Sequence, residues 1–316
     1  MKKPLIILTG PTAVGKTELS VKLAKALQGE IISADSIQVY KYMDIGSAKV
    51  TKEEMEGVKH YLIDELMPDE EFNIFYFKEK AKEYVNEIYK NNHIPIVAGG
   101  TGFYIQSLLY DIEFKNEESD DQIRNELYQL YEKQGAAYIH NMLKKIDPES
   151  AAAIHENNVK RVIRAIEYYR LNGEKISTHN EREKQKNSPY NFKYYCLNMD
   201  RKLLYERINK RVDIMVKNGL VEEVKSLFNM GYSKNLVSMQ GIGYKEIVLY
   251  LEGNITLEEA VEMIKQETRR FAKRQLTWFR REKEVTFINY EDFDFDKEKV
   301  LEFMINDINQ MLKEEK

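Results

Sequence analysis

The chain has 316 residues, more than one ordinary core needs, which suits two domains or one domain with a large insertion. Its 48 Lys and Arg nearly balance 52 Asp and Glu, so the formal charge of −4 gives no global argument for nucleic-acid binding. A single cysteine excludes disulfides and cysteine-built zinc sites, and no run approaches the roughly 18 apolar residues of a membrane span.

The chain opens with an apolar run over residues 4–9 that reads as a buried parallel strand. Gly10, Pro11, Thr12, Ala13, Val14, Gly15, Lys16 and Thr17 follow, and residues 18–27 read as an amphipathic helix. Strand, glycine loop and helix in that order are the context of a phosphate-binding P-loop. The glycines let successive backbone N–H groups close around phosphate oxygens, Lys16 reaches a terminal phosphate, and the Thr17 hydroxyl is placed to ligate Mg²⁺. The loop does not say which phosphate compound it holds. Lys2, Lys3 and the apolar run imitate the start of a signal peptide, but the P-loop cuts the run short, so a cytoplasmic location is expected.

Further β-type runs lie at residues 31–33, 94–98, 194–199 and 285–288, with helical patterns such as residues 75–89 between them. The alternation predicts an α/β fold, a P-loop NTPase-like parallel sheet flanked by helices. Ligands of such sheets bind beyond the carboxyl ends of the strands. Between residues 114 and 189 no strand pattern is seen. An acidic stretch leads to a helix over 121–134, Gly135 stops it, Asp147-Pro148 starts another, and a basic helix runs over 159–171 to Gly173. Residues 174–189 read as a polar loop. Residues 114–189 are thus expected to form an inserted helical domain and residues 1–113 with 190–316 the core, the alternative being helices that simply pack on the sheet. Residues 202–217, 257–279 and from 297 onward are helical by periodicity.

Asp35 follows the second strand. A carboxylate there can take a proton from a nucleophile or help hold a hydrated Mg²⁺, while Asp35-Ser36 is also good turn chemistry. Gly99-Gly100-Thr101-Gly102 closes the third main strand, where an ordinary P-loop ATPase shows an aspartate. Thr101 either hydrogen-bonds a substrate or caps the next helix. The run 60–64 offers another strand-end aspartate, and His60 reads as structural. Arg207 and Arg211 share a helix face and suit pyrophosphate, or are merely solvated.

Charge is unevenly spread. Residues 160–193 carry a net of +5 and residues 265–281 a net of +6, masked by −6 over residues 282–316. The second strip interleaves Phe271, Trp278 and Phe279 with its cations, as a helix contacting a polyanion does, although Trp278 and Phe279 are equally good core residues.

Seven blocks in order resemble the tRNA dimethylallyltransferases of bacterial type: residues 10–17, 35–40 with 44–49, 60–64, 99–104, 161–167, 241–246 and 272–278. The resemblance spans nearly the whole chain. It implies dimethylallyl diphosphate as donor and, as acceptor, the exocyclic amine of the adenosine immediately 3′ of the anticodon of tRNA. It implies that Thr12 to Thr17 and Arg211 grip the diphosphate, Asp35 is the general base and Thr101 contacts substrate. Asp35, Ser36, Ile37 and Gln38, Thr101, Arg124, the strip Val159, Lys160, Arg161, Val162 and Ile163, and the segment Met239, Gln240, Gly241, Ile242, Gly243 and Tyr244 match tRNA-contacting positions. Mg²⁺ on Thr17 is the implied cofactor. The tRNA anticodon arm and the prenyl diphosphate are the implied partners, with no membrane and the chain acting as a monomer. Ser47 stands where the family usually has threonine, keeping a hydroxyl, and the zinc-finger tail of eukaryotic relatives is absent. The two basic strips are expected to line opposite walls of one cleft around the RNA. A nucleoside or metabolite kinase and a nucleotide-gated RNA-binding protein would share the P-loop, and Gly99 and the aromatic basic helix argue against the kinase.

Overall fold

The computed structural model describes residues 2–114 and 121–314. The first part of the chain runs β1 (Pro4–Thr9), α1 (Lys16–Leu27), β2 (Gly29–Ala34), α2 (Lys52–Met55), β3 (His60–Tyr61), α3 (Ile74–Lys90), β4 (Ile94–Gly99) and α4 (Gly102–Leu109). A helical stretch follows: α5 (Asp121–Gln134), α6 (Ala136–Ile146), α7 (Pro148–Ala153), α8 (Val159–Asn172) and α9 (Ile176–Lys184). The chain ends with β5 (Asn191–Asn198), α10 (Arg201–Lys217), α11 (Leu220–Asn229), α12 (Tyr244–Leu251), α13 (Leu257–Phe279), β6 (Val285–Asn289) and α14 (Lys297–Lys313).

The six strands form one sheet in the order β3-β2-β4-β1-β5-β6, with every pairing parallel. β1 pairs on both sides and is covered on both faces, so Leu5, Ile6, Ile7 and Leu8 are all apolar and all buried. On one side Ile6, Leu8 and Leu197 pack with Leu19 and Leu23 of α1, Leu204 and Ile208 of α10 and Val300, Met304 and Ile308 of α14. The helix over 75–89 is observed as α3, whose Phe77, Ala81, Val85 and Ile88 form one buried stripe. β5 starts three residues before the expected run, because Pro4 to Ile6 of β1 pair with Asn191, Phe192 and Lys193.

Register sets the strand ends level. Thr9 pairs with Gly99, and Gly99 pairs with Ala34, so β1, β4 and β2 finish side by side. The approach is close: a Cβ on Gly99 would lie 2.3 Å from the Ala34 carbonyl oxygen.

By contacts the chain divides into Met1–Leu108 with Pro189–Lys316, which holds the sheet, and Leu109–Ser188, which holds α5 to α9. The second unit begins before the expected Phe114, because residues 111–113 are tied to its end. Glu113 N–H donates to Glu183 at 2.8 Å, and Lys186 reaches the Asp111 carbonyl. Its core is Leu127, Ile139, Leu143, Ala151, Val162, Ile163, Ala165 and Ile166. The acidic stretch 115–120 lies outside the described residues. The expected polar loop over 174–189 is instead largely the helix α9, which has almost no apolar stripe to announce it. It is held by polar groups: Asp147, 1% exposed, accepts from Ser150 N and Oγ at 3.1 and 2.7 Å and from Ser177 N and Oγ at 3.0 and 2.7 Å. Burial pushes the Asp147 carboxyl up, but the Ser150 and Ser177 bonds outweigh it and the net displacement is downward.

Candidate active site

The P-loop joins β1 to α1 and turns through left-handed backbone at Gly10 (φ 145°), Ala13 (64°) and Gly15 (106°). Its Lys16 ammonium curls back, donating to the Gly10 and Pro11 carbonyls at 2.9 Å each. Burial first and the neighbouring Arg211 guanidinium second lower the Lys16 pKa, the Asp35 carboxylate opposes both, and the net value is about 8. Arg211 is itself held down by burial, with the charges of Asp35 and Glu54 pulling it back up and Arg207 adding repulsion. Two cations are thus kept close together without a full counter-charge. An anion arriving between them relieves that repulsion.

Asp35 sits directly after β2. Its Oδ1 accepts from Ile37 N–H at 2.9 Å and Gln38 N–H at 3.3 Å, which fixes the turn 35–38 and leaves Oδ2 without a hydrogen-bond partner among the described residues. The turn role and the chemical role therefore use different oxygens. Thr101, after β4, donates its N–H to the Ala34 carbonyl at 3.1 Å, while its hydroxyl makes no hydrogen bond among the described residues. The Thr101 carbonyl accepts N–H groups from the first turn of α4, from Tyr104 at 3.0 Å and Ile105 at 3.2 Å. Thr17 is exposed on the first turn of α1.

Several residues that complete this corner carry no motif of their own. Gln275 of α13, 6% exposed, accepts from Thr12 N–H at 2.9 Å and donates to the Gly100 carbonyl at 3.0 Å. Arg207 Nε donates to the Ala13 carbonyl at 3.0 Å, so of the two arginines on one helix face Arg207 holds the loop while Arg211 lies beside Lys16. Trp278 lies against Gly102, whose Cβ would fall 2.2 Å from the indole, and meets Phe103 edge-on. The buried Tyr104 phenol is raised by burial first and then by the charges of Tyr40 and Asp35, and its ring stacks on Phe77. The block 272–278, which contains both Gln275 and Trp278, was the available signal for them. The only cysteine, Cys196 on β5, is fully buried, and burial pushes its thiol up to about 12 against the pull of Lys16 and Arg280.

The proposed RNA-facing positions divide by burial. In the sheet unit Ser36 and Gln240 are exposed and Ile37, Gln38, Gly241 and Ile242 are partly exposed, whereas Met239 and Tyr244 are fully buried and Gly243 is buried. In the helical unit Lys160 and Arg161 are exposed and Val159 partly so, but Val162 and Ile163 are core residues. The side chains of Met239, Tyr244, Val162 and Ile163 pack inward, so these residues face the surface at most through their backbone. Arg124 is also occupied, ion-paired with the buried Glu167 at 3.0 Å. Arg270, Lys273 and Arg274 on α13, and Arg280 and Arg281 just beyond its end, face solvent. Among the described residues no cation of the strip 265–281 forms an ion pair with the acidic tail, whose carboxylates instead meet Lys22, Lys299 and Lys193, the last residue of the strip 160–193.

Residues 38–282 match the family model described as IPP transferase. The chain belongs to the IPP transferase family. Within it, the chain is 58% identical over 294 residues to a tRNA dimethylallyltransferase of Lachnoclostridium phytofermentans, covering 93% of this chain and 94% of that one. A tRNA dimethylallyltransferase of Clostridioides difficile is 53% identical over 315 residues, covering 99% of each. Among solved structures, the full-length tRNA isopentenylpyrophosphate transferase of Bacillus halodurans is similar with a TM-score of 0.73 at 44% identity, over 100% of this chain and 99% of that one. A eukaryotic dimethylallyltransferase acting on tRNA gives 0.77 at 29% identity, over 91% of this chain and 74% of that one. The IPP transferase match takes in the Asp35 turn only from Gln38 onward and the basic helix to its end, so the P-loop stands as independent evidence from the residues themselves.

Proposed function

We propose that this protein transfers a dimethylallyl group from dimethylallyl diphosphate to the exocyclic amine of the adenosine immediately 3′ of the anticodon in tRNA. The observation that carries the reading is the cationic pair Lys16 and Arg211 close to Asp35, in a chain whose relatives are named tRNA dimethylallyltransferases. The bond between the first prenyl carbon and its diphosphate oxygen breaks, and the leaving group takes the electron pair. Backbone N–H groups of the P-loop, Lys16 and Arg211 stabilise the charge where it develops. The adenosine amine forms the new bond to that carbon, and Asp35 Oδ2 takes its proton. The Thr101 hydroxyl, which makes no hydrogen bond among the described residues, is available to orient the substrate.

Mg²⁺ fits this corner in a limited way. No cluster of three or more His, Cys, Asp or Glu is seen among the described residues, so the protein would offer chiefly the exposed Thr17 hydroxyl, with diphosphate oxygens and water completing the shell. When bound, the ion neutralises charge on the diphosphate. The acceptor base must leave its stack, which costs least in a single-stranded anticodon loop. Lys160 and Arg161 in one unit and the exposed cations of α13 in the other are the phosphate contacts.

The test is incubation with unmodified tRNA, Mg²⁺ and dimethylallyl diphosphate, followed by nucleoside mass spectrometry. The expected product is N6-dimethylallyladenosine with release of diphosphate. Tight ATP binding with no response to the prenyl diphosphate would overturn the reading in favour of a kinase, which the glycine end of β4 at Gly99 disfavours.

A further inference from the structure

The Glu223 carboxylate, on the first turn of α11, receives four donors from two separate segments. Asp44 and Ile45 N–H reach Oε2 at 2.9 and 2.7 Å, while Gly46 N–H and the Tyr244 hydroxyl reach Oε1 at 3.0 and 2.8 Å. Three consecutive N–H groups converging on one anion form a backbone nest, here filled by an internal carboxylate. The fit is tight, since a Cβ on Gly46 would lie 2.6 Å from the Tyr244 ring.

The held loop in turn supports the Asp35 turn. Its Ser47 and Ala48 carbonyls accept from Gln38 Nε2 at 3.4 and 3.2 Å, and Gln38 N–H is one of the two donors on Asp35 Oδ1. Lys49, whose side chain is 4% exposed, closes the loop from behind by bonding Asp44, Asp64 and the Tyr40 carbonyl. Tyr244, the other partner of Glu223, ends the segment 239–244, whose Gln240 to Ile242 reach the surface.

We infer that Glu223 is a positioning residue for the transfer: by anchoring the loop 44–48 and Tyr244 on one carboxylate, it sets the spacing between the Asp35 turn and the RNA-facing segment 240–242. The inference rests on the proposed prenyl transfer to tRNA. Glu223 touches neither the P-loop nor Lys16 and Arg211 among the described contacts, so its effect falls on the acceptor side. A base presented by one segment must meet a carboxylate held by the other, and an error of a fraction of an ångström there is felt in the rate.

The experiment compares Glu223→Gln, Glu223→Asp and Tyr244→Phe with wild type in single-turnover transfer and steady-state kinetics, below the melting temperature of each. Glu223→Gln is expected to lower the rate at saturating substrates at least about tenfold and leave the KM for dimethylallyl diphosphate within about twofold. Glu223→Asp keeps the charge and should recover part of the rate. Tyr244→Phe, which removes the bond to Glu223 and keeps the ring on Gly46, should show a smaller loss of the same kind, and it decides alone if Glu223→Gln does not fold. Variants that melt earlier yet transfer at the wild-type rate while folded would overturn the inference, as would a loss confined to donor KM. Absence of product with the wild-type protein would instead sink the proposed reaction, which separates the two failures.

Discussion

Gln275 and Thr12, 263 positions apart in sequence, are joined by a 2.9 Å hydrogen bond in which the amide oxygen of one accepts the backbone N–H of the other. The same amide donates to Gly100, so one buried side chain from α13 spans the P-loop and the end of β4. Replacing it by leucine leaves the Thr12 N–H and the Gly100 carbonyl without that partner. Gln275→Leu should cost about 1–3 kcal/mol in denaturant unfolding and raise the donor KM several-fold. A stable variant with wild-type donor kinetics would show that the loop keeps its shape without the bridge.

Asp35→Asn retains an oxygen for the Ile37 and Gln38 N–H groups, so the turn should persist. Transfer should slow about a hundredfold or more, in line with the usual contribution of a general base. Single-turnover rates at saturating tRNA and donor read this directly, and a near-wild-type rate would exclude proton transfer to Asp35.

Lys16→Ala and Arg211→Ala should impair donor use far more than tRNA binding. The Lys16 pKa of about 8 adds a sign. A diphosphate favours the charged ammonium, so donor affinity should be full below that value and weaken as pH rises through it. Isothermal titration from neutral to alkaline pH should show this in wild type, and Lys16→Ala should abolish that component.

Arg161 is exposed and has no ion-pair partner among the described residues, whereas Arg269 bonds Asn209 at 2.6 Å between α13 and α10. Arg161→Glu should weaken tRNA binding and flatten its salt slope by about one unit with an unchanged melting temperature. Arg269→Glu should weaken binding and stability together. An Arg161 variant that loses stability but keeps the salt slope would place this arginine in the fold.

Asp147 gives the helical unit a pH dependence. Its folded pKa lies below its unfolded value, so the stability it contributes is present above about 3.9 and is lost as pH falls through the folded value. Asp147→Ala should remove that acid component and lower stability at neutral pH by about 1–3 kcal/mol, since the Ser150 and Ser177 N–H groups lose their acceptor. Unfolding followed across acidic pH by circular dichroism checks both.

The α/β architecture was legible because the buried strands are short continuous apolar runs and the helices between them carry apolar stripes. β1 shows this best, since the P-loop follows it at once. β3 is two residues long, and only the first two residues of the run 60–64, whose aspartate was read as a strand end, form it. α9 escaped because its register is held by Ser177, Glu183 and His179 through polar contacts, which no hydrophobic period reports. At the site, Asp35 and Lys16 were visible because a strand end and a glycine loop mark them. Arg207 and Gln275 were not assigned to the loop, since what each does depends on which face of a long helix meets a segment hundreds of residues away. Residues adjacent in sequence within the segments 159–163 and 239–244 separate into surface and interior for the same reason.

The burial of Cys196 makes the chain convenient for probes. Its thiol is shut away from solvent and held well above the ordinary range, so maleimide reagents have nothing to attack in the native protein. A cysteine placed at exposed Val237, beside the segment 240–242, or at exposed Lys160 in the other unit, would therefore be the only reactive thiol. A fluorophore at each in turn would report RNA arrival at either unit separately, without first stripping a native cysteine from the sheet.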